Sequence, residues 1–308
     1  MYSKLISLIL VMIPLPILAT PCEQANQLVI QAYQLGNHSA VYAKKQQLLR
    51  QAVRLCPNHS DAHNNLGVLL EQQQNYSKAL YHYQRAIAND SDYTEAWIGM
   101  GDIYYQQNQF PLSLEAYLHA CTSDQQARQR VAELFYQHRY RTAEKGQVLT
   151  KESLSLLYDK QRLQQLHEMA NDCRRRFRSL TISTATLLTP YVIYRNIHFH
   201  VGEYRLTATA ESQLNQIANT LQSNNAQTIQ ISGHTDTQPF AGYSRNDSDQ
   251  LNWKLSQDRA NAVATALTQR GIPITKITTM GYGYNRPIAH GSGEAAWAKN
   301  RRVEIEVD

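Results

Sequence analysis

The chain of 308 residues lacks the motifs of several catalytic and cofactor-binding sites. No Ser-x-x-Lys occurs, which argues against a serine nucleophile of the penicillin-binding type. His167 and Glu168 are adjacent, but the second histidine of a His-Glu-x-x-His zinc helix is absent. Gly281-x-Gly283 is followed by Arg286 where a dinucleotide-binding loop has its third glycine. We therefore expect no catalytic residue and no cofactor.

Metal and nucleic-acid sites are not indicated either. His198 and His200 form one pair on a predicted strand, and no third ligand is clustered with them. The 30 lysines and arginines are scattered among glutamine, asparagine and tyrosine, and the formal net charge is only +5. A nucleic-acid surface needs clustered cations and stacking aromatic residues. We expect no metal ligands and no nucleic-acid partner.

The longest hydrophobic run lies within residues 1–19. One cation, Lys4, precedes a run from Leu5 to Leu18 that is apolar apart from Ser7 and contains two prolines. This pattern is typical of a secretory signal peptide ending at Ala19, and it is shorter than the ~20 residues that a membrane-spanning helix needs. An uncleaved anchor is the alternative. We expect an exported protein whose mature chain has no transmembrane segment.

Only four cysteines are present, and no Cys-x-x-Cys occurs among them. Disulfides are permitted in an exported chain. Cys22 begins the first predicted helix and Cys56 ends the second, so an antiparallel helix pair would place them side by side, and we predict a bridge between them. Cys121 and Cys173 have no such arrangement. We expect these two to be buried free thiols.

A period of 34 residues runs through the N-terminal part of the chain. It relates Ala52, Ala86 and Ala120, and it relates Gly67 to Gly101. Small residues at these positions let neighbouring helices approach closely. The pattern resembles the tetratricopeptide repeat family over about 110 residues. The resemblance implies an α-helical solenoid over residues 22–145 with a concave groove for a protein partner, here an unknown envelope protein.

Tyrosines are frequent in the repeats and allow two interpretations. They can form an aromatic recognition face, or they can fill the space between helices, which is the interpretation we favour. The set comprises Tyr76, Tyr81, Tyr83, Tyr93, Tyr104, Tyr105 and Tyr117. A partial helix from Ala127 to Tyr140 is expected to cap the stack.

Residues 146–190 are predicted to form a helical linker. Leucines at helical spacing, among them Leu154, Leu157, Leu163 and Leu166, indicate one or two amphipathic helices. The basic run Arg174-Arg175-Arg176 follows, and we interpret it as a solvated helix end.

Residues 191–308 alternate strand and helix signals, which predicts an α+β domain with a small mixed sheet covered by helices. The second helix of this domain ends at Gly271-Ile272-Pro273, a strong termination signal. The predicted strands contain Ile197 and Phe199, Ile229 and Ile231, residues 274–280, and Val303, Ile305 and Val307.

Two opposite charges mark a candidate binding site in this domain. Asp236 follows a predicted strand, and Arg259 is expected in the first turn of a helix that begins near Ser256. A carboxylate can accept from an ammonium group, while a guanidinium donates two parallel hydrogen bonds to a carboxylate. Such a pair can hold a zwitterion, and the helix N-terminus could assist. The alternative is that the two side chains only pair with each other.

The motifs around this pair resemble the OmpA-like peptidoglycan-binding domain. They occur in family order as Ile197-His198-Phe199, Gly233-His234-Thr235-Asp236, Leu255-Ser256-x-x-Arg259-Ala260, Gly281-x-Gly283 and Asn300-Arg301-Arg302-Val303-Glu304-Ile305. The resemblance implies noncovalent binding of the diaminopimelate in the peptidoglycan stem peptide through Asp236 and Arg259. Secondary contacts are expected from Asn252, Thr235, Phe199, Asn300 and Arg301. Residues 238–250 are expected to form a mobile loop beside the site.

Together these features predict a non-catalytic protein of the Gram-negative periplasm, associated with the cell wall or outer membrane. Its C-terminal domain is expected to bind peptidoglycan and its repeats to bind a protein. One alternative is an adaptor or assembly factor of an envelope or secretion complex, in which the C-terminal domain only moors the repeats. A cell-wall hydrolase is less favoured because its catalytic motifs are missing.

Overall fold

A computed structural model describes residues 19–36, 38–143, 149–177, 180, 182–188, 192–195, 197, 199, 202–223 and 226–307. The predicted signal peptide, apart from Ala19, and both His198 and His200 lie outside the described residues. No helix of the described part is long and apolar enough to cross a membrane. The chain divides into two compact units, with the boundary between Tyr93 and Thr94.

The first unit consists of two helix pairs. Its first helix starts with a capping box, in which Thr20 accepts from the Glu23 amide and the Glu23 side chain accepts from the Thr20 amide. The helices are α1 (Pro21–Gln34), α2 (Tyr42–Leu55), α3 (Ser60–Gln72) and α4 (Tyr76–Asn89). A disulfide joins Cys22 in α1 to Cys56 after α2, with the Cα atoms 4.9 Å apart. This is the pairing that the sequence favours.

Close helix contacts explain the glycine period. A Cβ atom added to Gly67 would lie 2.6 Å from the ring of Tyr83 on the partner helix. The equivalent atom on Gly101 would lie 2.7 Å from the ring of Tyr117. Both tyrosines are fully buried, so they fill space between helices and do not form a recognition face. Tyr81, by contrast, is exposed.

The second unit begins with helices and continues into a sheet. Its helices between residues 94 and 176 are α5 (Thr94–Gln106), α6 (Phe110–Ala120), α7 (Gln125–Phe135), α8 (Lys151–Tyr158) and α9 (Lys160–Arg176). The predicted capping helix is shorter than expected, because the chain turns into a 3₁₀ helix at Tyr136–Arg141.

The segment predicted as a linker is part of a packed core. Leu154 and Leu157 of α8 and Leu163 and Leu166 of α9 are buried in the same hydrophobic cluster as α6, α7 and the sheet. A disulfide between Cys121 and Cys173 links the end of α6 to α9. The expectation of two free thiols is therefore wrong, since the chain folds back between positions that are 52 residues apart. Helices α8 and α9 therefore belong to this core.

Five strands form one mixed sheet in the order β1-β2-β5-β3-β4. The pairs β1–β2 and β3–β4 are parallel, whereas β5 is antiparallel to both β2 and β3. Ile229 and Ile231 are buried while Gln230 between them is exposed, as strand alternation requires. The strands are β1 (Thr142–Ala143), β2 (Val192–Tyr194), β3 (Ile229–Gly233), β4 (Ile277–Gly281) and β5 (Val303–Val307).

Three helices accompany the later strands, namely α10 (Ala208–Ser223), α11 (Arg245–Gln269) and α12 (Glu294–Asn300). The predicted architecture, helical repeats followed by an α+β domain with a small mixed sheet, is confirmed. Three details differ. The sheet contains β2 ahead of the predicted first strand, and Phe199 forms an isolated antiparallel bridge with Leu206. Strand β4 starts at Ile277 because residues 274–276 form a 3₁₀ turn, and β1 was not predicted. The expected domain boundaries at residues 145 and 190 remain predictions.

Candidate functional site

The site lies where β3 ends and meets the middle of α11. A Cβ atom on Gly233 would lie 1.9 Å from the carbonyl oxygen of Ser256, so only glycine permits this approach of strand and helix. The three residues after Gly233 are all buried. The chain thereby carries Asp236 to the face of α11 that bears Arg259.

Asp236 is 6% exposed and uses both carboxylate oxygens. Its Oδ1 accepts a hydrogen bond from the Gln238 amide at 2.8 Å. Its Oδ2 accepts from Nη1 of Arg301 at 2.7 Å. The second Nη of Arg301 pairs with Glu294. Burial opposes ionisation of Arg301, but its bonds to Asp236 and Glu294 prevail and raise its pKa above the ordinary arginine value. Asp236 is therefore a buried carboxylate that already has a cationic partner.

Arg259 is 3% exposed and has other partners than Asp236 does. Its Nε donates to the carbonyl oxygen of Glu203 at 3.0 Å, and its guanidinium carbon lies 5.3 Å from the centre of the Phe199 ring. Burial and, to a smaller extent, the charge of Arg301 lower the pKa of Arg259 to about 10, although the charge of Asp236 acts in the opposite direction. The guanidinium remains charged at neutral pH but has lost much of its solvation.

The expected position of Arg259 at a helix start is wrong. Helix α11 begins at Arg245, where Ser244 caps it by accepting from the Asp247 amide, so Arg259 lies well inside the helix. Backbone N–H groups at this depth are bonded within the helix and cannot contact a ligand. The alternative of a direct Asp236–Arg259 pair is not observed either. No hydrogen bond or ion pair joins these two residues in the part of the chain that the structure describes.

Two residues before Arg259 fix the helix against the sheet. The Ser256 hydroxyl accepts from the Gly283 amide at 2.9 Å and donates to the Trp253 carbonyl at 2.6 Å. The Gln257 side-chain oxygen accepts from the Gly281 amide at 2.7 Å. These contacts hold the position of α11 along β4, and they therefore set the direction of Arg259.

His234 and Thr235 contribute mainly through their backbone. The His234 amide donates to the Arg302 carbonyl at 2.9 Å, and the Thr235 amide donates to the Gly283 carbonyl at 2.8 Å. Burial lowers the pKa of His234 to about 3, and Arg302 acts in the same direction, so the ring is neutral at physiological pH. These residues build the turn that presents Asp236.

The loop after Asp236 is tied to the first turns of α11. The side-chain nitrogen of Asn252 donates to the Gln238 carbonyl at 3.4 Å, and the Ser248 hydroxyl accepts from the backbone amide of Phe240 at 3.1 Å. The predicted mobile loop of residues 238–250 is thus half helix, because α11 includes everything from Arg245 onwards. The remaining short loop lies next to Asp236, because the Gln238 amide donates to the Asp236 side chain.

Asn300 organises the opposite side of the site. Its side-chain oxygen accepts from the amides of Ile288 at 2.9 Å and Ala289 at 3.1 Å, while its side-chain nitrogen donates to the Ala289 carbonyl at 2.8 Å. These three bonds hold the loop between β4 and α12 and place the next residue, Arg301, beside Asp236. Its observed contacts position Arg301, and its expected contact with a ligand remains a prediction.

A buried ionic cluster lies next to the site. Glu304 accepts from Nε of Arg302 at 2.8 Å, and Nε of Arg195 lies 2.8 Å from the same oxygen. Burial would raise the pKa of Glu304, but Arg195 and Arg302 prevail and lower it below the ordinary value. Arg302 also donates to the Arg286 carbonyl at 3.0 Å. The cluster thereby connects β5 to the loop that faces Asp236.

The structure brings most of the predicted residues together around Asp236. Arg301 bonds directly to Asp236, and Arg259 lies beside Phe199. Thr235 precedes Asp236 in the turn, and Asn252 bonds to the loop that follows it. Asn300 holds the loop before Arg301. Sequence reasoning missed the roles of Glu203, Glu294 and Gln257. Glu203 and Glu294 lie outside the recognised motifs, and Gln257 is one of the two unspecified positions of the motif between Ser256 and Arg259.

Chemically, the arrangement supplies one buried carboxylate and one buried guanidinium that are not bonded to each other, and Arg301 and Glu294 complete a neutral set of four charges. Such a site fits a ligand that carries both an ammonium and a carboxylate. Among the described residues, no group of three or more histidine, cysteine, aspartate or glutamate side chains could hold a metal ion. The pair His198 and His200 lies outside that part.

Comparison with known proteins supports the division of the chain into N-terminal helical repeats and a C-terminal α+β domain. Residues 198–301 match the model of the OmpA family. Residues 60–93 and 82–128 match two models described as tetratricopeptide repeat. Both resemblances noted in the sequence are confirmed, and they cover separate parts of the chain.

Individual relatives match about a third of the chain. A peptidoglycan-associated lipoprotein of Buchnera aphidicola is 33% identical over 109 residues, which is 35% of this chain and 58% of the relative. The outer-membrane lipoprotein YfiB of Pseudomonas aeruginosa is 33% identical over 103 residues, or 33% of this chain and 56% of the relative. The chain thus spans somewhat more than half the length of these two relatives. Among solved structures, the peptidoglycan-associated lipoprotein of Burkholderia pseudomallei is 29% identical, with a TM-score of 0.31, and the match covers 36% of this chain and 88% of that one.

Proposed function

Because residues 198–301 form an OmpA-family domain, we propose that this protein binds peptidoglycan noncovalently through the diaminopimelate of the stem peptide. The observation that carries the proposal is that Asp236 and Arg259 are both buried and close enough for Asp236 to affect the pKa of Arg259, without a bond between them. Relatives named as peptidoglycan-associated lipoproteins, one of them 33% identical, support the polymer as ligand.

The two charged groups of diaminopimelate are complementary to the charges of Arg259 and Asp236. Diaminopimelate ends in a carbon atom that carries one ammonium and one carboxylate. The carboxylate would accept two hydrogen bonds from Arg259, whose desolvation makes such bonds stronger than in water. The ammonium would donate to Asp236. Arg301 would then share the Asp236 carboxylate with the ligand and keep its bond to Glu294.

The C-terminal site acts by binding alone in this proposal, and the protein works in the periplasm next to the cell wall. The disulfides Cys22–Cys56 and Cys121–Cys173 agree with an oxidising compartment. Release of a hydrolysed muropeptide by the full chain would contradict the non-catalytic assignment.

Titration of the full chain with a diaminopimelate-containing muropeptide tests the site. We expect Asp236→Asn and Arg259→Lys each to weaken binding by about tenfold or more, since each removes a charge-assisted or bidentate bond. Matched controls are Asp258→Asn, whose side chain pairs with Lys254 on the helix surface, and Arg205→Lys, whose side chain is 81% exposed. No binding by the wild type, or equal binding by all variants, would refute the assignment.

A protein partner is proposed for the repeats. In the first unit, α1, α2 and α3 enclose a small groove of about 130 Å³ whose lining includes Val29, Tyr33 and Val68. Tyr33 is 81% exposed and Val68 is 39% exposed, so an apolar side chain of a partner could bury them. The alternative, an adaptor moored by its C-terminal domain, rests on this same groove.

The groove is tested by affinity capture from envelope extract with the full chain as bait. The proposal expects a specific envelope protein to be recovered by the wild type and by Tyr81→Glu, and to be lost with Tyr33→Glu. Tyr81 is a suitable control because it is 57% exposed but does not line the groove. Recovery that Tyr33→Glu leaves unchanged would contradict a role for this groove.

A further inference from the structure

Two large aromatic side chains are exposed beside the candidate site. Tyr243 is 58% exposed and Trp253 is 53% exposed. They line one open groove of about 920 Å³, which also includes Asp247, Asp249 and Gln250. We call this surface the aromatic groove. Exposed aromatic rings that share a concave surface usually mark a binding site, because leaving them in water has a free-energy cost.

The aromatic groove is preformed. Trp253 follows Asn252 on α11, and its carbonyl accepts from the Ser256 hydroxyl that also holds Gly283. Tyr243 closes the short loop before α11, where its amide donates to the Phe240 carbonyl at 3.2 Å. Both rings therefore start from backbone that is held by hydrogen bonds. A ligand would pay little ordering entropy on binding there.

The residues of the aromatic groove fit a sugar chain. The negative face of an aromatic ring attracts the weakly positive C–H groups on one face of a pyranose. Carboxylate and amide groups can exchange hydrogen bonds with sugar hydroxyl and acetamido groups, and Asp247, Asp249 and Gln250 supply them at the rim. Lys254 also lines the groove but pairs with Asp258, and the two carboxylates disfavour an anionic lipid surface, since like charges repel.

The aromatic groove is linked to the proposed stem-peptide site by two hydrogen bonds. Asn252, the residue before Trp253, donates to the Gln238 carbonyl, and the Gln238 amide in turn donates to Asp236. Gly283, which accepts from the Thr235 amide, lies so close to Trp253 that a Cβ atom on it would be 3.6 Å from the Trp253 backbone. In peptidoglycan, stem peptides are attached to strands of N-acetylated amino sugars. A peptide held at Asp236 thus brings a glycan strand near this surface.

We infer that the aromatic groove binds the glycan strand of peptidoglycan, with pyranose rings placed against Trp253 and Tyr243. This inference rests on the proposed function and extends it from the stem peptide to the N-acetylhexosamine chain. The domain would then contact the polymer at two chemically distinct points, and the linked contacts would strengthen each other.

The test uses the full chain and glycan strands freed of peptide by an amidase, followed by calorimetry. The wild type is expected to bind these strands, and Trp253→Ala to bind about tenfold more weakly. Trp253→Phe keeps a ring and is expected to retain most of the affinity. Tyr81→Ala removes an equally exposed ring in the first unit and should leave binding unchanged.

Asp236→Asn separates this inference from the proposed function. It should bind peptide-free strands like the wild type while losing the muropeptide. Failure of the wild type to bind the strands, or undiminished binding by Trp253→Ala, would overturn the glycan site and leave the stem-peptide site standing. Self-association in sedimentation experiments that Trp253→Ala abolishes, without glycan binding, would assign the surface to a second copy and would also overturn the inference.

Discussion

Arg301, and not Arg259, is the residue that neutralises Asp236, with its Nη1 atom 2.7 Å from Oδ2 of the carboxylate. The two residues are 65 positions apart in the chain. This relationship leaves Arg259 with its Nε bonded to the Glu203 carbonyl and without an acidic side chain bonded to it among the described residues. The Asp236 carboxylate is thus already bonded to a cation, whereas the Arg259 guanidinium is available to bind the carboxylate of a ligand.

Removing Arg301 should destabilise the domain. Asp236 is 6% exposed, so Arg301→Ala would leave a buried carboxylate without its cation, at a cost of about 1–3 kcal/mol in the free energy of unfolding. Glu294→Gln is the control, because the Glu294 side chain is 71% exposed and surface pairs contribute about 1 kcal/mol or less. Urea unfolding of the full chain measures both. Equal stability of Arg301→Ala and wild type would contradict the arrangement.

The buried cluster on β5 predicts a larger effect. Glu304→Gln would remove the charged carboxylate that the guanidiniums of Arg195 and Arg302, 9% and 2% exposed, share. We expect a loss of about 3–5 kcal/mol in the free energy of unfolding. Because the folded pKa of Glu304 is lowered, its stabilisation is present above the ordinary glutamate pKa and is lost as pH falls through the folded value.

Glu306→Gln provides the contrast on the same strand. Burial raises the pKa of Glu306, and the neighbouring charge of Glu304 adds to this, so removing its charge should be neutral or stabilising. Urea unfolding at neutral pH compares the two variants. Similar losses for both would show that the cluster has no special role.

The disulfides should contribute separately to the two units. Closing loops of 34 and 52 residues restricts the unfolded chain by about 4 kcal/mol each in the loop-entropy treatment. Cys121→Ala with Cys173→Ala should therefore raise hydrogen exchange in α6 and α9, while α1 and α2 keep their protection. The pair Cys22→Ala with Cys56→Ala should do the reverse. Exchange that rises equally in all four helices would contradict this assignment.

The first unit should lose stability in mild acid. Nδ1 of His63 lies 3.0 Å from Nδ1 of His82, and burial, His63 and Arg50 lower the pKa of His82 to about 4. Since the unfolded chain binds this proton near pH 6.5, stability is complete above that pH and falls as the pH is lowered towards about 4.

Hydrogen exchange of α3 and α4 between pH 7 and pH 4, corrected for intrinsic rates, measures this loss. His82→Gln should flatten the pH dependence, whereas His38→Gln, at an exposed position, should not. A wild-type protection that is constant over this range would contradict the prediction.

The sequence predicts repeating features better than contacts between distant residues. The 34-residue period locates the helix pairs, because Gly67 and Gly101 are needed at each close contact. Alternation locates β3 and β5. The start of α11 was not predicted because Asn246, Asp247 and Ser248 are typical of loops, although Ser244 and Asp247 form a helix cap in the structure.

Contacts that depend on tertiary folding could not be predicted. Strand β1 has two residues and therefore no measurable alternation. The Cys121–Cys173 bridge depends on how α9 packs in the core, and neither cysteine lies in a motif. The bond between Asp236 and Arg301 joins two recognised motifs, but only the fold shows that Arg301 is the closer partner.

We propose that Arg259 binds the carboxylate at the end of diaminopimelate. The most direct test of this proposal is the ratio of dissociation constants for two muropeptides that differ only in this residue, one with diaminopimelate and one with lysine, which lacks that carboxylate. The full-length wild type should prefer the diaminopimelate form by about 10- to 100-fold, and Arg259→Ala should bring the ratio close to one. A wild type without preference, or a preference that survives in Arg259→Ala, would show that Arg259 does not bind this carboxylate.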